Sequence, residues 1–343
     1  MTDLEKLTGP VLRPGDPGYD EERRTQNLLT PLRPAIAVGA ADVADVRAAV
    51  RYAAANRLAV AVRGGGHMQP YTAEGAVLIT LDRMAGVTVD AGRRTARVTG
   101  GALWREVIDA AAKEGLAPMA GSSVTVGAIG YVLGGGQGPI LSRPYGYASD
   151  HVTSFDIVTA DGELRTVSGD DELFAALRGP PIPQLPEPLR GAHVLSVRFA
   201  HLGPAEEGEA LLAPMRAVAP ALIDTVAEVP FAVAATLHND PVDASPYQDR
   251  SLGLSGLPDA ALDKLIELTG PGTRIPLTSV EVRALGGAMD RPPATPDSVP
   301  SRGLPFQLSP SRSAPTTWTA ATAASNGWSP RCGRGRTRDT AGC

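Results

Sequence analysis

Apolar residues early in the chain follow first a helical period and then two short runs. Between residues 41 and 56 they recur at helical spacing, at Val43, Val46, Val50 and Ala53, with Asp42 near the start. This period predicts a helix. The apolar runs 58–62 and 76–81 that follow predict two strands, the first of them short and buried.

Alternation of apolar and polar residues predicts two β-hairpins. The first joins residues 86–90 to 95–98, and the second joins 154–159 to 164–167 across an Asp-Gly dipeptide that favours a tight turn. Further helices are predicted at 103–114, 171–179, 207–217 and 258–268, and further strands at 196–200 and 277–282. Because βα units and hairpins both occur, the sequence predicts an α+β fold rather than a regular doubly wound sheet.

A glycine-rich loop follows the first predicted strand directly, with the sequence Arg63-Gly64-Gly65-Gly66-His67. Three glycines let the chain adopt backbone angles closed to other residues and bring bare N–H groups close to a ligand. A row of such donors binds anions, and pyrophosphate is a common occupant. The alternative is a tight turn followed by a solvated histidine. This stretch alone leaves both interpretations open.

Residues 120–138 form a second stretch rich in glycine and hydroxyl side chains, interleaved with aliphatic residues. The aliphatic residues indicate a packed segment, since a flexible linker would lack them. No Gly-Lys-Ser/Thr follows the glycines, and the strand–GxGxxG–helix order of a dinucleotide fingerprint is also missing. Small residues here favour a large flat ligand against the backbone, with Ser122, Ser123 and Thr125 as hydrogen-bond donors.

Composition bounds the class of protein. With 43% hydrophobic and 20% charged residues, the 343-residue chain is typical of a globular protein long enough for two domains. Its net charge of −5 argues against a nucleic-acid partner. Without a signal peptide or an apolar run of about 20 residues, no membrane partner and a cytoplasmic location are expected. Only Cys332 and Cys343 occur, which excludes a disulfide framework and a cysteine-rich zinc site in the body of the chain.

Residues from about 33 to 179 resemble the PCMH-type FAD-binding domain of the vanillyl-alcohol-oxidase and berberine-bridge-enzyme superfamily. Four motifs in order carry the resemblance, at residues 63–67, 125–138, 145–151 and 158–162. It implies a two-subdomain FAD-binding domain over 33–179 with FAD as the cofactor. The residues that it implies in cofactor binding are Arg63, Gly64, Gly65, Gly66, His67, Met68, Gly121, Ser122, Ser123, Thr125, Gly127, Gly130, Tyr131, Gly134, Asp150 and Val158.

His67 occupies the position at which that family attaches a histidine to the C8 methyl group of the flavin ring. Some members carry a second bond through a cysteine, but Ser123 stands in that position here. The resemblance therefore implies one covalent bond at most, through His67. The attack needs a neutral imidazole, which the near-neutral pKa of histidine permits. His151 beside Asp150 is a weaker candidate, as a general base, because such a pair is more often structural.

The chain departs from the family pattern after Gly179. A proline-rich run at 180–188 stands where relatives continue with a strand that completes the flavin site. Either an insertion displaces this strand or a deletion removes it. Deletion is favoured because three later segments resemble consecutive parts of the second domain of bacterial relatives, at 186–191, 202–208 and 280–288.

The resulting domain plan has four parts. A lead-in at 1–32 precedes the flavin domain, which at 33–179 lacks its last strand. Residues 180–291 are an incomplete α+β substrate domain with an antiparallel sheet. Residues 292–343 contain no lysine and no apolar period, so they are predicted to be disordered.

By resemblance, the chain is an FAD-dependent oxidoreductase of the oxidase type. A hydride passes from a C–H group of a small alcohol, amine or glycoside to covalently bound FAD, and dioxygen then reoxidises the flavin with release of hydrogen peroxide. The expected partners are therefore a small-molecule substrate and dioxygen. Two alternatives stay open: a nicotinamide-dependent reductase of the same superfamily, and a flavin-binding remnant without turnover, since a damaged coding sequence would also give the gap and the unusual tail.

Overall fold

The computed structural model describes residues 3–67, 72–169, 171, 173–174, 177, 197–218, 221, 223–237, 242–270, 273, 277–293, 299 and 301–313. Its α-helices are α1 (Tyr19–Glu22), α2 (Val43–Ala55), α3 (Trp104–Lys113), α4 (Ala128–Leu133), α5 (Ser142–Tyr145), α6 (Ala205–Arg216) and α7 (Asp259–Thr269). Its strands are β1 (Val11–Leu12), β2 (Ile36–Gly39), β3 (Val60–Arg63), β4 (Val77–Thr80), β5 (Val87–Asp90), β6 (Thr95–Val98), β7 (Ser154–Val158), β8 (Leu164–Ser168), β9 (Tyr247–Asp249), β10 (Leu252–Leu254), β11 (Ser279–Ala284) and β12 (Phe306–Ser313). Short 3-10 helices lie at Asp3–Lys6, Asp82–Met84, Ala148–His151, Phe231–Thr236 and Gly287–Asp290.

Four strands form the N-terminal sheet in the order β1-β2-β4-β3. Strands β2, β4 and β3 run parallel, and β1 is antiparallel to β2. Helix α2 packs on one face, where Val38, Val77 and Ile79 are fully buried. Asp42 caps this helix by accepting a hydrogen bond of 3.0 Å from the Asp45 N–H. The helix predicted over 41–56 and the strands predicted over 58–62 and 76–81 are therefore confirmed.

Strand β3 is an outer strand of this sheet rather than a buried one. It stands at one end of the described strand order, and its Val60 and Val62 side chains are 41% and 50% exposed. The prediction of a buried strand over 58–62 is wrong in this respect. A continuous apolar run has no alternation, so its pattern cannot reveal which face meets solvent.

Residues 3–32 pack with the N-terminal sheet, so the boundary predicted after residue 32 does not separate them from it. Strand β1 extends the sheet by pairing with β2. Tyr19 and Leu32 are buried against the face opposite α2. The Glu22 carboxylate accepts hydrogen bonds of 2.8 and 2.7 Å from the Arg83 guanidinium. The sequence pattern misses this segment because isolated apolar residues between prolines give no periodic signal.

Two separate hairpins follow, as predicted. Strand β5 pairs with β6, and β7 pairs with β8. Between them, α3 ends at Lys113, and Gly115 has the left-handed φ of 66° that terminates a helix. The second hairpin contacts α2 through Glu163, whose carboxylate lies 2.7 Å from Arg47 and 2.5 Å from Arg51.

Strand β12 is the centre of the C-terminal sheet. Strands β9, β10 and β11 each pair with it in antiparallel register. The prediction of disorder from residue 292 onwards is therefore wrong for Phe306–Ser313. Its serines and its proline give a composition typical of a tail, but the partner strands hold it in an extended conformation. Residues 314–343 of the predicted tail lie outside the described residues.

The remaining predictions for the second half have mixed outcomes. Helices α6 and α7 and strand β11 confirm the elements predicted at 207–217, 258–268 and 277–282. The strand predicted at 196–200 is wrong over its described part, 197–200, which has no regular structure. The helix predicted at 171–179 lies largely outside the described residues, and so does the junction after Gly179, so the deletion stays a prediction.

The combination of a mainly parallel sheet, hairpins, an antiparallel sheet and helices confirms the predicted α+β class. Each helix in the described part of the chain falls short of the length and apolar character needed to cross a membrane.

Candidate functional site

Two glycine-containing loops meet backbone to backbone beyond the end of β3. The first loop, residues 64–67, follows β3, and the second loop, residues 121–127, leads into α4. A Cβ atom on Gly65 would lie 2.4 Å from the Gly127 nitrogen, and one on Gly127 would lie 2.7 Å from the Gly65 nitrogen. Both distances are too short for a side chain, so each position requires glycine.

Most backbone N–H groups of the two loops donate no hydrogen bond to another described residue. None of residues 64–67 and 123–127 donates a backbone hydrogen bond there. Carbonyl groups of the same loops, by contrast, accept hydrogen bonds. The Gly66 carbonyl accepts one of 3.0 Å from the Gln26 N–H, and the Val126 carbonyl accepts one of 3.0 Å from the Trp104 N–H. Buried N–H groups are nearly always paired in proteins, and neighbouring backbone donors without a protein partner are typical of anion sites.

His67 closes the first loop with a half-buried ring. Its Nε2 lies 2.8 Å from the Thr125 hydroxyl oxygen, which in turn lies 3.1 Å from that of Ser123. Burial lowers the pKa of His67 to about 4, against a smaller opposing effect of a hydrogen bond with the Thr125 backbone. The imidazole is therefore neutral near pH 7. This is the form that a nucleophilic histidine requires.

Arg63 supports the first loop from behind. Its guanidinium donates hydrogen bonds of 2.6 and 3.1 Å to the Asp82 carboxylate and one of 3.1 Å to the Glu22 carbonyl. Only 7% of its surface is exposed. Arg63 therefore forms an ion pair within the protein, with Asp82. Its described contacts hold the first loop in place and do not put its guanidinium among the backbone N–H groups of the two loops.

Tyr131 lies beneath the second loop, in a core with Trp104. The two rings meet edge to face at 5.3 Å. A Cβ atom on Gly121 or Gly136 would come within 2.7 or 2.8 Å of the Tyr131 ring, so both glycines make room for it. Burial raises the pKa of the Tyr131 phenol.

Several buried polar atoms around this core have no hydrogen-bond partner among the described residues. They are Trp104 Nε1, Tyr131 Oη, Gln137 Nε2 and Ser149 Oγ. Unsatisfied buried polar atoms are rare in folded proteins, and a cluster of them indicates a bound polar group or water. This cluster lies between the second loop and the segment that follows α4.

Other residues predicted in the site do not join the two loops. The Asp150 carboxylate accepts a hydrogen bond of 2.8 Å from the Arg302 guanidinium and one of 2.9 Å from the Tyr147 N–H. Val158 packs against the core of the N-terminal sheet. The position of a Cβ on Gly130 is open space, and Gly134 serves to end α4.

Met68 and His151 are the other two residues that the sequence predicts near the site. Met68 lies outside the described residues. His151, the weaker candidate base, is exposed, and its Nε2 lies 3.0 Å from the Tyr145 carbonyl oxygen.

The C-terminal sheet brings residues to the site that sequence reasoning missed. The Tyr247 hydroxyl, on β9, donates to the His67 carbonyl. The Ser245 N–H donates a hydrogen bond of 2.9 Å to the Gln26 carbonyl, beside the first loop. The only local signal for this sheet is the alternation of polar residues along 307–311, within a composition typical of a tail.

A polar cavity of about 300 Å³ opens beside the first loop, with Gly65, Arg63 and Asp82 among its lining residues. Its lining includes the carboxylates of Glu21, Asp82 and Asp243, so the cavity itself does not favour phosphate. The glycine contact, the N–H groups without a described partner and the unsatisfied buried atoms fit a large cofactor that carries phosphate groups. FAD is such a cofactor, and residues 64–67 and 121–127 are the ones that would hold it.

Comparison with known proteins supports this assignment. Residues 34–168 match the family model described as the FAD binding domain. The chain is 35% identical over 177 residues to (R)-6-hydroxynicotine oxidase of Paenarthrobacter nicotinovorans, a match that covers 50% of this chain and 38% of that protein. The matched segment thus spans well under half of that relative's length.

Solved structures extend the likeness over nearly the whole chain. The berberine-bridge-enzyme-like protein 1 of Physcomitrella patens aligns with a TM-score of 0.74 at 18% identity, over 94% of this chain and 85% of that one. The carbohydrate oxidase of Microdochium nivale, solved with a substrate analogue, aligns with a TM-score of 0.76 at 17% identity, over 95% and 85%. At these identities the likeness establishes the fold alone.

Proposed function

We propose, from the match of residues 34–168 to the family model of the FAD binding domain, that the chain is an FAD-linked oxidoreductase of the oxidase type. The observation that carries the proposal is that residues 64–67 and 123–127 donate no backbone hydrogen bond to another described residue, on two loops that meet at Gly65 and Gly127 beside a neutral His67. Backbone donors of this kind suit the pyrophosphate of FAD.

His67 is the proposed covalent attachment point. Its neutral imidazole has the free electron pair that bond formation to the flavin C8 methyl group needs. The Thr125 hydroxyl holds Nε2, and Ser123 in turn contacts Thr125, so both hydroxyls orient the ring. When bound, FAD supplies an acceptor for the two electrons of a hydride. With serine at position 123, no second attachment is proposed.

The substrate is proposed to be a small alcohol, amine or glycoside, and the final electron acceptor is dioxygen, which is released as hydrogen peroxide. The printed names of the relatives, a hydroxynicotine oxidase and a carbohydrate oxidase, support this range. The ordered C-terminal sheet above His67 supports an enzyme over a remnant without turnover, because a substrate needs a covered site from which water is excluded.

The test begins with purified wild-type protein. We expect the visible absorbance of an oxidised flavin, its bleaching under anaerobic conditions by a substrate probe, and peroxide after air is admitted. Anaerobic reduction followed over hours detects even slow chemistry. A folded protein that stays colourless after incubation with FAD contradicts the proposal. Reoxidation by a nicotinamide instead of dioxygen would contradict the oxidase assignment alone.

A matched pair of glycine variants tests the role of the contact between the two loops. Gly65→Ala places a Cβ against the Gly127 nitrogen, so we expect flavin content to fall by at least about tenfold, a loss near 1.4 kcal/mol. Gly256→Ala has open space around its new Cβ and serves as the control. Equal flavin content in the two variants contradicts the role given to the loop contact.

A further inference from the structure

One face of the C-terminal sheet is polar along most of its area. Asp249 pairs with Ser311, Glu281 with Ser309, and Arg283 with Gln307. Directly paired residues point to the same face of a sheet, as do residues two apart on one strand. These side chains therefore share one face. The opposite face carries the aliphatic set Leu252, Val282 and Leu308, which pair with one another in the same way.

Around Gln307 and Ser309 the polar face is the buried one, and on the opposite face Arg312 is also only 8% exposed. Gln307 and Ser309 are each 8% exposed, whereas Leu252 and Val282 are 52% and 36% exposed. A sheet with one solvated face normally buries its apolar side, so the reversal here indicates a site. Tyr247 shares this face, and its hydroxyl donates to the His67 carbonyl. The polar face is thus turned towards the first loop.

Asp249 differs from its neighbours on this face. The Gln307 amide donates a hydrogen bond of 2.5 Å to the Ser251 hydroxyl, and the Arg283 guanidinium donates one of 3.0 Å to the Glu281 carboxylate. Asp249 Oδ1 is buried and has no hydrogen-bond partner among the described residues. A buried acceptor of this kind costs stability unless a ligand or a proton satisfies it.

The charges around Asp249 do not compensate for its burial. Burial raises the pKa of its carboxyl group, against smaller opposing effects of a hydrogen bond from Ser311 and of the Arg250 charge. Tyr247 is the nearest titratable group on the same strand face. Glu281 and Arg283 on β11 form a pair with each other further along the sheet.

We propose that Asp249 is the proton acceptor for the reacting hydroxyl or amine of the substrate, a role that rests on the proposed function. The carboxylate takes the O–H or N–H proton, the electron pair of that bond forms the C=O or C=N bond, and the C–H hydride carries two electrons to the flavin. The substrate is oxidised by two electrons, and dioxygen finally receives them with two protons as hydrogen peroxide. Asp249 returns its proton to solvent after the product leaves.

The first test measures anaerobic flavin reduction with three probes: glucose, cellobiose and (R)-6-hydroxynicotine. With the probe that reduces wild type fastest, Asp249→Asn should be slower by at least about 100-fold at unchanged flavin content. The wild-type rate should rise with pH as Asp249 loses its proton, and this rise should be absent in the variant. Asp263→Asn, an exposed carboxylate on α7, is the matched control.

The second test measures thermal stability, which does not depend on turnover. A carboxyl group whose pKa is raised by folding destabilises the protein above that pKa and has no effect below the pKa of the unfolded chain. Asp249→Asn should therefore raise the melting temperature by about 2–4 °C at pH 8 and leave it unchanged near pH 3. A purely structural aspartate would give the opposite sign.

The outcomes separate the two proposals. Equal reduction rates in Asp249→Asn and Asp263→Asn, or an insoluble or destabilised Asp249→Asn, overturn the role of Asp249 while the oxidoreductase assignment stands. A wild-type protein that binds flavin but is reduced by none of the probes overturns the proposed function and this role with it.

Discussion

His67 illustrates how burial prepares a side chain for chemistry. An exposed histidine would be partly protonated below pH 7, and a protonated imidazole has no electron pair for bond formation. Half-buried between the first loop and Thr125, the ring keeps its neutral form well into the acid range. The same burial links this residue to the stability of the fold.

The pH dependence of stability follows from the lowered pKa of His67. His67 binds a proton near pH 6.5 in the unfolded chain but only near pH 4 in the folded chain. The folded state therefore keeps its full stability above pH 6.5 and loses stability as the pH falls towards 4. Without flavin, the free energy of unfolding of the wild-type protein should fall by about 2–3 kcal/mol over this pH range because of His67. We expect this part of the decrease to be absent in His67→Gln. Urea titrations at pH 7 and pH 4.5 check this, with His151→Gln as the exposed control. Parallel losses in both variants would contradict it.

The loop residues were predictable from sequence because glycine spacing is local. Gly65 and Gly127 lie on loops that the sequence already marked, and the structure brings them into contact. The ion pairs of Arg63 and Asp150, two residues that the resemblance assigned to cofactor binding, were not predictable in the same way. Their partners, Asp82 and Arg302, lie 19 and 152 residues away along the chain, and nothing in a local pattern identifies such a partner.

Strand β12 is the element on which the second half depends. All three other strands of the C-terminal sheet pair with it, and none of the described strands there pairs with another without it. The periodic helices α2 and α3 were predictable because a buried apolar stripe fixes their period. β12 was not, since its buried face carries Gln307 and Ser309, and its register depends on strands elsewhere in the sequence.

Two truncations test the importance of β12. Ending the chain at residue 299 removes the strand and leaves three unpaired strand edges, which favour aggregation. We expect the melting temperature to fall by at least about 5 °C and the soluble yield to decrease. Ending it at residue 313 keeps the strand, and its melting temperature should stay within about 2 °C of wild type. Equal stability of both truncations would mean that β12 contributes little.

The two halves of the molecule contact each other on both sides of the site. On one side, Tyr247 donates to the His67 carbonyl. On the other, the Arg302 guanidinium binds Asp150 at 2.8 Å and lies 4.8 Å from the centre of the Tyr147 ring, whose hydroxyl meets Ser301 at 2.9 Å. These contacts hold the polar face of the C-terminal sheet over the loops. Under the proposed function, the loops would hold the flavin and this sheet would cover the substrate.

Peptide mapping tests the central claim, that the glycine loops and His67 hold FAD, most directly. Trypsin cleaves after Arg63 and Arg83, so a single peptide, residues 64–83, contains the first loop, and His67 is its only histidine. Mass spectrometry of digested wild-type protein should find the flavin mass on this peptide, and fragmentation should assign it to His67. The His67→Ala protein should release its flavin on acid precipitation. Wild-type protein whose flavin is absent, freely released by acid, or attached to another peptide would contradict the account.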